Sequence, residues 1–257
     1  MNKYTLCILS WLHPYYVLLN KLSHTYLTHS SNKIHVINTL FMYDKKKVYY
    51  LLCINCEYGN YDFVKLLIER RVTFGYLCHD YDEPLRLASK NGHCNIVRIL
   101  IENGANIHVN GNIALQYASE KGYYDIVKLL IKNGANVCAD NDYALRYASE
   151  NGYYDIVKYL IKYGADIHVH DDIAVRIASA FGHYDIVNVL IENGADIHAD
   201  NDYALRYASQ NGFYNIVKLL IVNGANIHAD DNDALVRASI RCQYNVIKLL
   251  LEHISAT

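Results

Sequence analysis

No stretch of this 257-residue chain approaches the ~18 consecutive apolar residues that a membrane-spanning helix needs. Nor is there a surplus of charge: 24 Lys and Arg against 26 Asp and Glu leave a formal net charge of -2. The basic residues are dispersed, with one short run at Lys45 to Lys47, so the chain lacks the basic face that nucleic-acid binding requires. It also contains no G-x-S-x-G, no Walker-type loop and no H-E-x-x-H, and catalysis finds no foothold. A secretory signal would place Lys3 ahead of the apolar Tyr4 to Leu12, but no small-residue cleavage site follows. Without such a signal, seven cysteines, an odd number, imply free thiols in a reducing compartment. These absences lead us to expect a soluble, cytoplasmic binding protein that is no enzyme and carries no cofactor.

What the chain does have is a period. Gly-Ala pairs at Gly104, Gly134, Gly164, Gly194 and Gly224 recur every 30 residues. A fixed spacing of that size marks stacked supersecondary units. Within one unit Ala144, Leu145 and Ala148 lie at i, i+1 and i+4, and Ile156, Val157, Leu160 and Ile161 continue at i, i+1, i+4 and i+5. Both stretches therefore predict one-sided helices. Gly152 and Gly164 follow the last apolar positions, where a left-handed residue closes a helix. Asp155 in the first turn of the second helix, with Lys158 one turn on, suits the helix dipole. The remainder of a unit, such as Ile197 to Asp202, is short, polar and has turn chemistry. Isolated helices below about 12 to 15 residues are marginal in water, so the units must stack to be stable.

The order A-L-R-x-A-S-x-x-G, then I-V-K-x-L-I-x-x-G-A-[ND]-I-H, resembles the ankyrin repeat. Leu85, Leu115, Leu145, Val175, Leu205 and Leu235 match the leucine of that family's T-P-L-H motif, and Gly92, Gly122, Gly152, Gly182 and Gly212 match its turn glycine. The threonine and histidine of that motif are absent; Tyr143 and Arg146 stand there in one copy, Ile173 and Arg176 in another. The family period is about 33 residues, and the shortfall lies in the turn segment, between His198 and Ala204 for example. The resemblance implies an all-α solenoid of helix-turn-helix units with shortened hairpin fingers. The wording A-L-R-x-A-S and the short period are closest to the ankyrin-repeat proteins of giant DNA viruses of amoebae.

Seven repeats are expected over residues 49–257, the first and last degenerate. The first keeps the second-helix pattern at Tyr58 to Val72, and the last, Ala234 to His253, has Cys242 at the turn glycine and reads as a C-terminal cap. Residues 1–48 do not fit the period. His35 to Asp44 could cap the stack, whereas Ile8 to Ser23 is similar to the middle of an F-box and would make the chain a substrate adaptor for a host ubiquitin ligase.

Three sets of residues invite a sharper reading. Cys53, Cys56, Cys78 and His93 offer zinc ligands, but without ligand-pair spacing in the second half, and no metal is expected. His108, His168, His198 and His228 recur, yet stacked helices lie about 8 to 10 Å apart, too far for neighbouring rungs to share an ion; a structural role, with the ring bonding backbone, is expected. Ser89, Ser119, Ser149, Ser179, Ser209 and Ser239 occupy the small position that alanine fills in the family.

In ankyrin stacks the first helices and fingers line the concave side. The resemblance therefore implies contact positions at Asn112, Asp142, Asp172 and Asp202 in the fingers, at Lys90, Glu120, Glu150 and Gln210 on the helices, and along a row of Arg86, Arg146, Arg176 and Arg206. Tyr117, Tyr147 and Tyr207 join them as partly buried aromatic anchors. The finger aspartates fit two roles, helix caps or an acidic rim for a basic partner. ADNDYALRYAS occurs twice without change, from Ala139 and from Ala199, which points to recent duplication. The expected function is a monomeric scaffold that binds a partner protein, possessing neither nucleic-acid nor membrane affinity.

Overall fold

The computed structural model describes residues 45–74 and 81–255. Its described residues divide into two compact units, one comprising residues 45–55 and 60–74, the other residues 56–59 and 81–255. The cap-like and F-box-like segments within residues 1–44, and Cys78, lie outside the described residues. All fourteen elements among the described residues are helices.

Two helices precede the break, α1 (Lys45–Tyr58) and α2 (Tyr61–Phe74), and they bury Leu51, Leu52, Val64, Leu67 and Ile68. Six helix pairs follow: α3 (Asp82–Lys90) with α4 (Cys94–Glu102), α5 (Val109–Glu120) with α6 (Tyr124–Lys132), and α7 (Ala139–Glu150) with α8 (Tyr154–Lys162). Next come α9 (Val169–Phe181) with α10 (Tyr184–Glu192), α11 (Ala199–Gln210) with α12 (Tyr214–Val222), and α13 (Ala229–Ile240) with α14 (Tyr244–Ile254). Each first helix packs on the first helices of its neighbours and on its own second helix, and the second helices pack on one another.

The apolar stripes account for that arrangement. In α7 the small residues Ala144 and Ala148 are buried beside Leu145, which lets adjacent first helices approach closely. In α8 Ile156, Val157 and Leu160 are sealed between layers. Fully burying one such branched side chain contributes about 1.5 to 3 kcal/mol, and every copy repeats the set.

Glycine closes both helices of a pair. After α5, the amide of Tyr123 donates to the carbonyl of Ala118 at 2.9 Å while Gly122 holds φ +78°. A Cβ on Gly122 would lie 2.6 Å from the ring of Tyr153, which the following pair lays over this turn. The glycine therefore meets two demands at once, a left-handed backbone and a close ring. At the last pair Cys242 takes the same turn at φ +56° and is exposed.

The shortened finger takes the form of a left-handed turn. Asp140, Asn141 and Asp142 all have φ near +53°, and Asn110 to Asn112, His170 to Asp172, Asp200 to Asp202 and Asp230 to Asn232 repeat this. A left-handed conformation costs most L-residues roughly 1 to 2 kcal/mol each, and Gly, Asn and Asp least. That preference explains why the segment is written almost wholly in those three residues. The preceding Asx turn, in which Asp166 Oδ1 accepts the amide of His168 at 2.9 Å, aims the chain into it.

Candidate partner-binding face

The left-handed turn sorts its three residues by direction. The first two point outward: Asp140 and Asn141, His170 and Asp171, Asp200 and Asn201 are exposed. The third points into the stack, so that Asn112, Asp142, Asp172 and Asp202 are all buried. Each uses its Oδ1 to accept a backbone amide of the next repeat, from Asn136, Asp166, Asp196 and Asn226 respectively, at 2.8 to 3.0 Å. These four residues, expected from the resemblance to meet a partner, are staples between repeats.

Two of the periodic histidines join the staple and a third makes the equivalent bond within its own turn. The Nδ1–H of His168 donates to Asp172 Oδ1 at 3.0 Å, that of His198 to Asp202 Oδ1 at 3.1 Å, and that of His228 to Asn232 Oδ1 at 2.7 Å. Their rings thus bond a side chain four residues on, where a backbone partner was expected. Cys138 replaces the histidine in one copy and donates its thiol to the carbonyl of Gly164 at 3.1 Å. Burial pushes both the Cys138 thiol and the Asp142 carboxyl above their ordinary ranges.

The arginine row is largely committed within the stack. Arg86 is half-buried and bonded to Glu83, with Nε to Oε2 at 2.7 Å. Arg176 donates to the carbonyl of Asp171 at 3.1 Å and pairs with Asp200 at 3.5 Å. Arg206 is buried and reaches Asp230 at 2.8 Å and Asp233 at 3.1 Å. It therefore leaves the candidate contact set. Arg146 faces a different rung: its counterpart 24 residues on is His170 where Arg176 and Arg206 have Asp200 and Asp230. Its guanidinium lies 5.0 Å from the Tyr147 ring centroid.

The aromatic positions are half-buried. Tyr147 stacks on Tyr143 at 4.0 Å and Tyr207 on Tyr203 at 3.9 Å, while Lys90 lies 5.3 Å from the ring of Tyr117. Glu120 accepts from the hydroxyl of Tyr143 at 3.4 Å, Gln210 from Arg237 at 2.8 Å, and Glu150 remains half-buried. Tyr143 and Tyr203 were missed in the sequence, although their i, i+4 spacing to Tyr147 and Tyr207 was the available signal. The exposed acids Asp140, Asp171, Asp200, Asp230 and Asp231 were missed as well.

Between the turns of the last two pairs lies an open polar recess of about 600 Å³, lined by His198, Asn201, Asn226, His228, Asp230 and Asp231. Among the described residues no group of three or more His, Cys, Asp or Glu is placed to hold a metal ion. Cys53 and Cys56 are buried in α1. None of the helices among the described residues is long and apolar enough to cross a membrane.

A search of curated proteins finds no match. The family model for ankyrin repeats in three copies matches residues 26–110, 52–141, 108–171 and 173–257, nearly the whole chain. Together with the stacked helix pairs and their glycine turns, this match makes the chain a member of the ankyrin-repeat family.

Proposed function

We propose that the protein is a scaffold that holds a basic segment of a partner protein along the edge formed by its left-handed turns and the adjoining first helices. Ankyrin repeats are generally protein-protein interaction modules, and the exposed acids of successive turns carry the finer reading. Asp140, Asp171 and Asp231 are exposed in three of these turns, and such a like-signed series attracts and orients a basic chain. Tyr117, Tyr147 and Tyr207 serve beside it as aromatic anchors, with Lys90, Glu120, Glu150 and Gln210 at the margin and Arg146 over the ring of Tyr147. Exposed thiols at Cys138 and Cys242 favour a reducing, cytoplasmic setting, and the resemblance to giant-virus proteins makes a host protein the partner to seek.

Affinity purification from the native cell, then titration of the purified partner against a triple variant carrying Asp140→Asn, Asp171→Asn and Asp231→Asn, tests this. Asparagine keeps the left-handed turn and removes only charge. Binding should weaken by about tenfold or more and fall with salt. Recovery of no reproducible partner, or a partner bound equally well by the variant, would overturn the reading.

A further inference from the structure

One helix pair inside the stack departs from the two beside it. The first helices α7 and α11 share the wording ADNDYALRYAS, whereas α9, which packs on both, reads VHDDIAVRIAS. Its stripe at i, i+4, i+7 and i+8 is Ile173, Ile177, Ala180 and Phe181, apolar throughout. On α7 the same stripe holds Tyr143, Tyr147, Glu150 and Asn151, and on α11 Tyr203, Tyr207, Gln210 and Asn211. Phe181 is 56% exposed where both neighbours place asparagine. Ile173 and Ile177 are half-buried, on a helix flanked by two helices that each carry a stacked tyrosine pair.

The same departures strip one arginine of its acid. Arg206 is held by carboxylates of the next pair, Asp230 at 2.8 Å and Asp233 at 3.1 Å, and Arg176 by Asp200 at 3.5 Å. One repeat before Arg146, Gln116 reaches Asp140 at 3.5 Å. For Arg146 the corresponding positions, 24 and 27 residues on, hold His170 and Ile173. Among the described residues it forms no ion pair, not even with Glu150 one turn on, and its guanidinium lies 5.0 Å from the Tyr147 ring centroid. Its Nε is buried without a hydrogen-bond partner; Arg176 and Arg206 share that feature but are fixed through their other nitrogens.

We infer that Arg146 and the α9 stripe form one recognition site, for an extended segment of a partner protein in which a carboxylate stands next to a large apolar side chain. Asp230 on Arg206 shows which group completes the guanidinium at this place in the repeat, and at Arg146 the chain does not supply it. The partner does. Exposed Asp140 and Asp171 in the adjoining turns repel a polyacidic chain, so the ligand carries one acid rather than a run. Its apolar side chain covers Ile177 and Phe181, surface that a purely charged segment leaves wet. The site rests on the scaffold reading for its class of ligand and deepens it: the acidic turns attract basic residues, and Arg146 sets the register by pairing with one acidic residue among them.

Selection of a displayed library of random peptides on the full chain tests the site. Enriched sequences should place Asp or Glu beside a large apolar residue. His170→Asp returns the acid found at Asp140, Asp200 and Asp230, and aspartate suits the left-handed backbone of φ +51°. It should close the site from within and raise the Kd of a selected peptide by at least about tenfold. Phe181→Asn, the residue of the flanking copies, should raise it by about fivefold. Both substitutions install what neighbouring copies carry, so the circular dichroism spectrum and melting temperature should be kept. In Arg146→Gln, which copies the Gln116 rung, exchanging the peptide's acid for its amide should no longer change the Kd. The triple variant of the turn acids should keep the acidic-apolar preference, so that failure of the acidic edge and failure of this site read out separately. A library that yields no acidic-apolar sequence, or a selected peptide that wild type and His170→Asp bind equally, overturns the proposal.

Discussion

The serine column offers the most direct test of how the stack is packed. Ser89, Ser119, Ser149, Ser179 and Ser209 are fully buried, and their hydroxyl oxygens have no hydrogen-bond partner. A buried hydroxyl left unpaired costs about 1 to 3 kcal/mol. Alanine at the same place removes that cost, adds a few tenths of helix propensity, and leaves only the void of one oxygen atom. Ser149→Ala should therefore stabilise the protein by about 1 kcal/mol, net of lost contacts. Urea unfolding followed by circular dichroism reads the change as a higher midpoint, and a chain of this size gains roughly 2 to 4 °C per kcal/mol in a thermal scan. Ser239 supplies the control, since it is exposed and its hydroxyl donates to the carbonyl of Leu235 at 2.8 Å. Ser239→Ala should change stability by less than about 0.5 kcal/mol. If Ser149→Ala instead destabilises by more than that, the buried hydroxyls are bonded and the reasoning fails.

Three further outcomes follow from the same geometry. Asn141→Ile forces a β-branched residue to φ +53° and should cost about 2 kcal/mol in urea titration, whereas Asn141→Gly should be neutral or better. Gly122→Ala meets both the left-handed backbone and the ring of Tyr153 at 2.6 Å; a loss of about 2 to 5 kcal/mol is expected, part of it recovered by Tyr153→Ala. Asp142→Asn keeps the acceptor that Asn112 supplies at its own rung and removes a carboxyl whose pKa burial raises. A folded-state pKa above the unfolded value makes this group's contribution complete below the unfolded pKa and lost as pH rises through the folded one. The advantage of Asp142→Asn in melting temperature should thus grow from acid toward neutral pH, and an advantage that shrinks over that range would contradict the burial account.

The helix pairs were legible because their signal is local and repeated. Ile156, Val157 and Leu160 mark one face of one helix, and the copies at Ile126 and Ile186 mark the same face again. The turn segment was legible only in composition. Asp140, Asn141 and Asp142 look alike as letters, and nothing in their order says that two face water while the third binds the amide of Asp166. That sorting depends on the left-handed turn and on the neighbouring repeat. The arginine row shows the same limit, because Arg146 and Arg206 stand in identical words, yet Arg206 pairs with Asp230 one repeat away while Arg146 lies over the ring of Tyr147.

The sequence by itself determined the ankyrin architecture, the 30-residue period and the shortened finger, since periodicity and turn chemistry are written along the chain. Only the tertiary structure decided which polar residues are free. Stacking brings residues 24 to 35 positions apart into contact, and so turns an apparent acidic contact residue such as Asp172 into a buried staple.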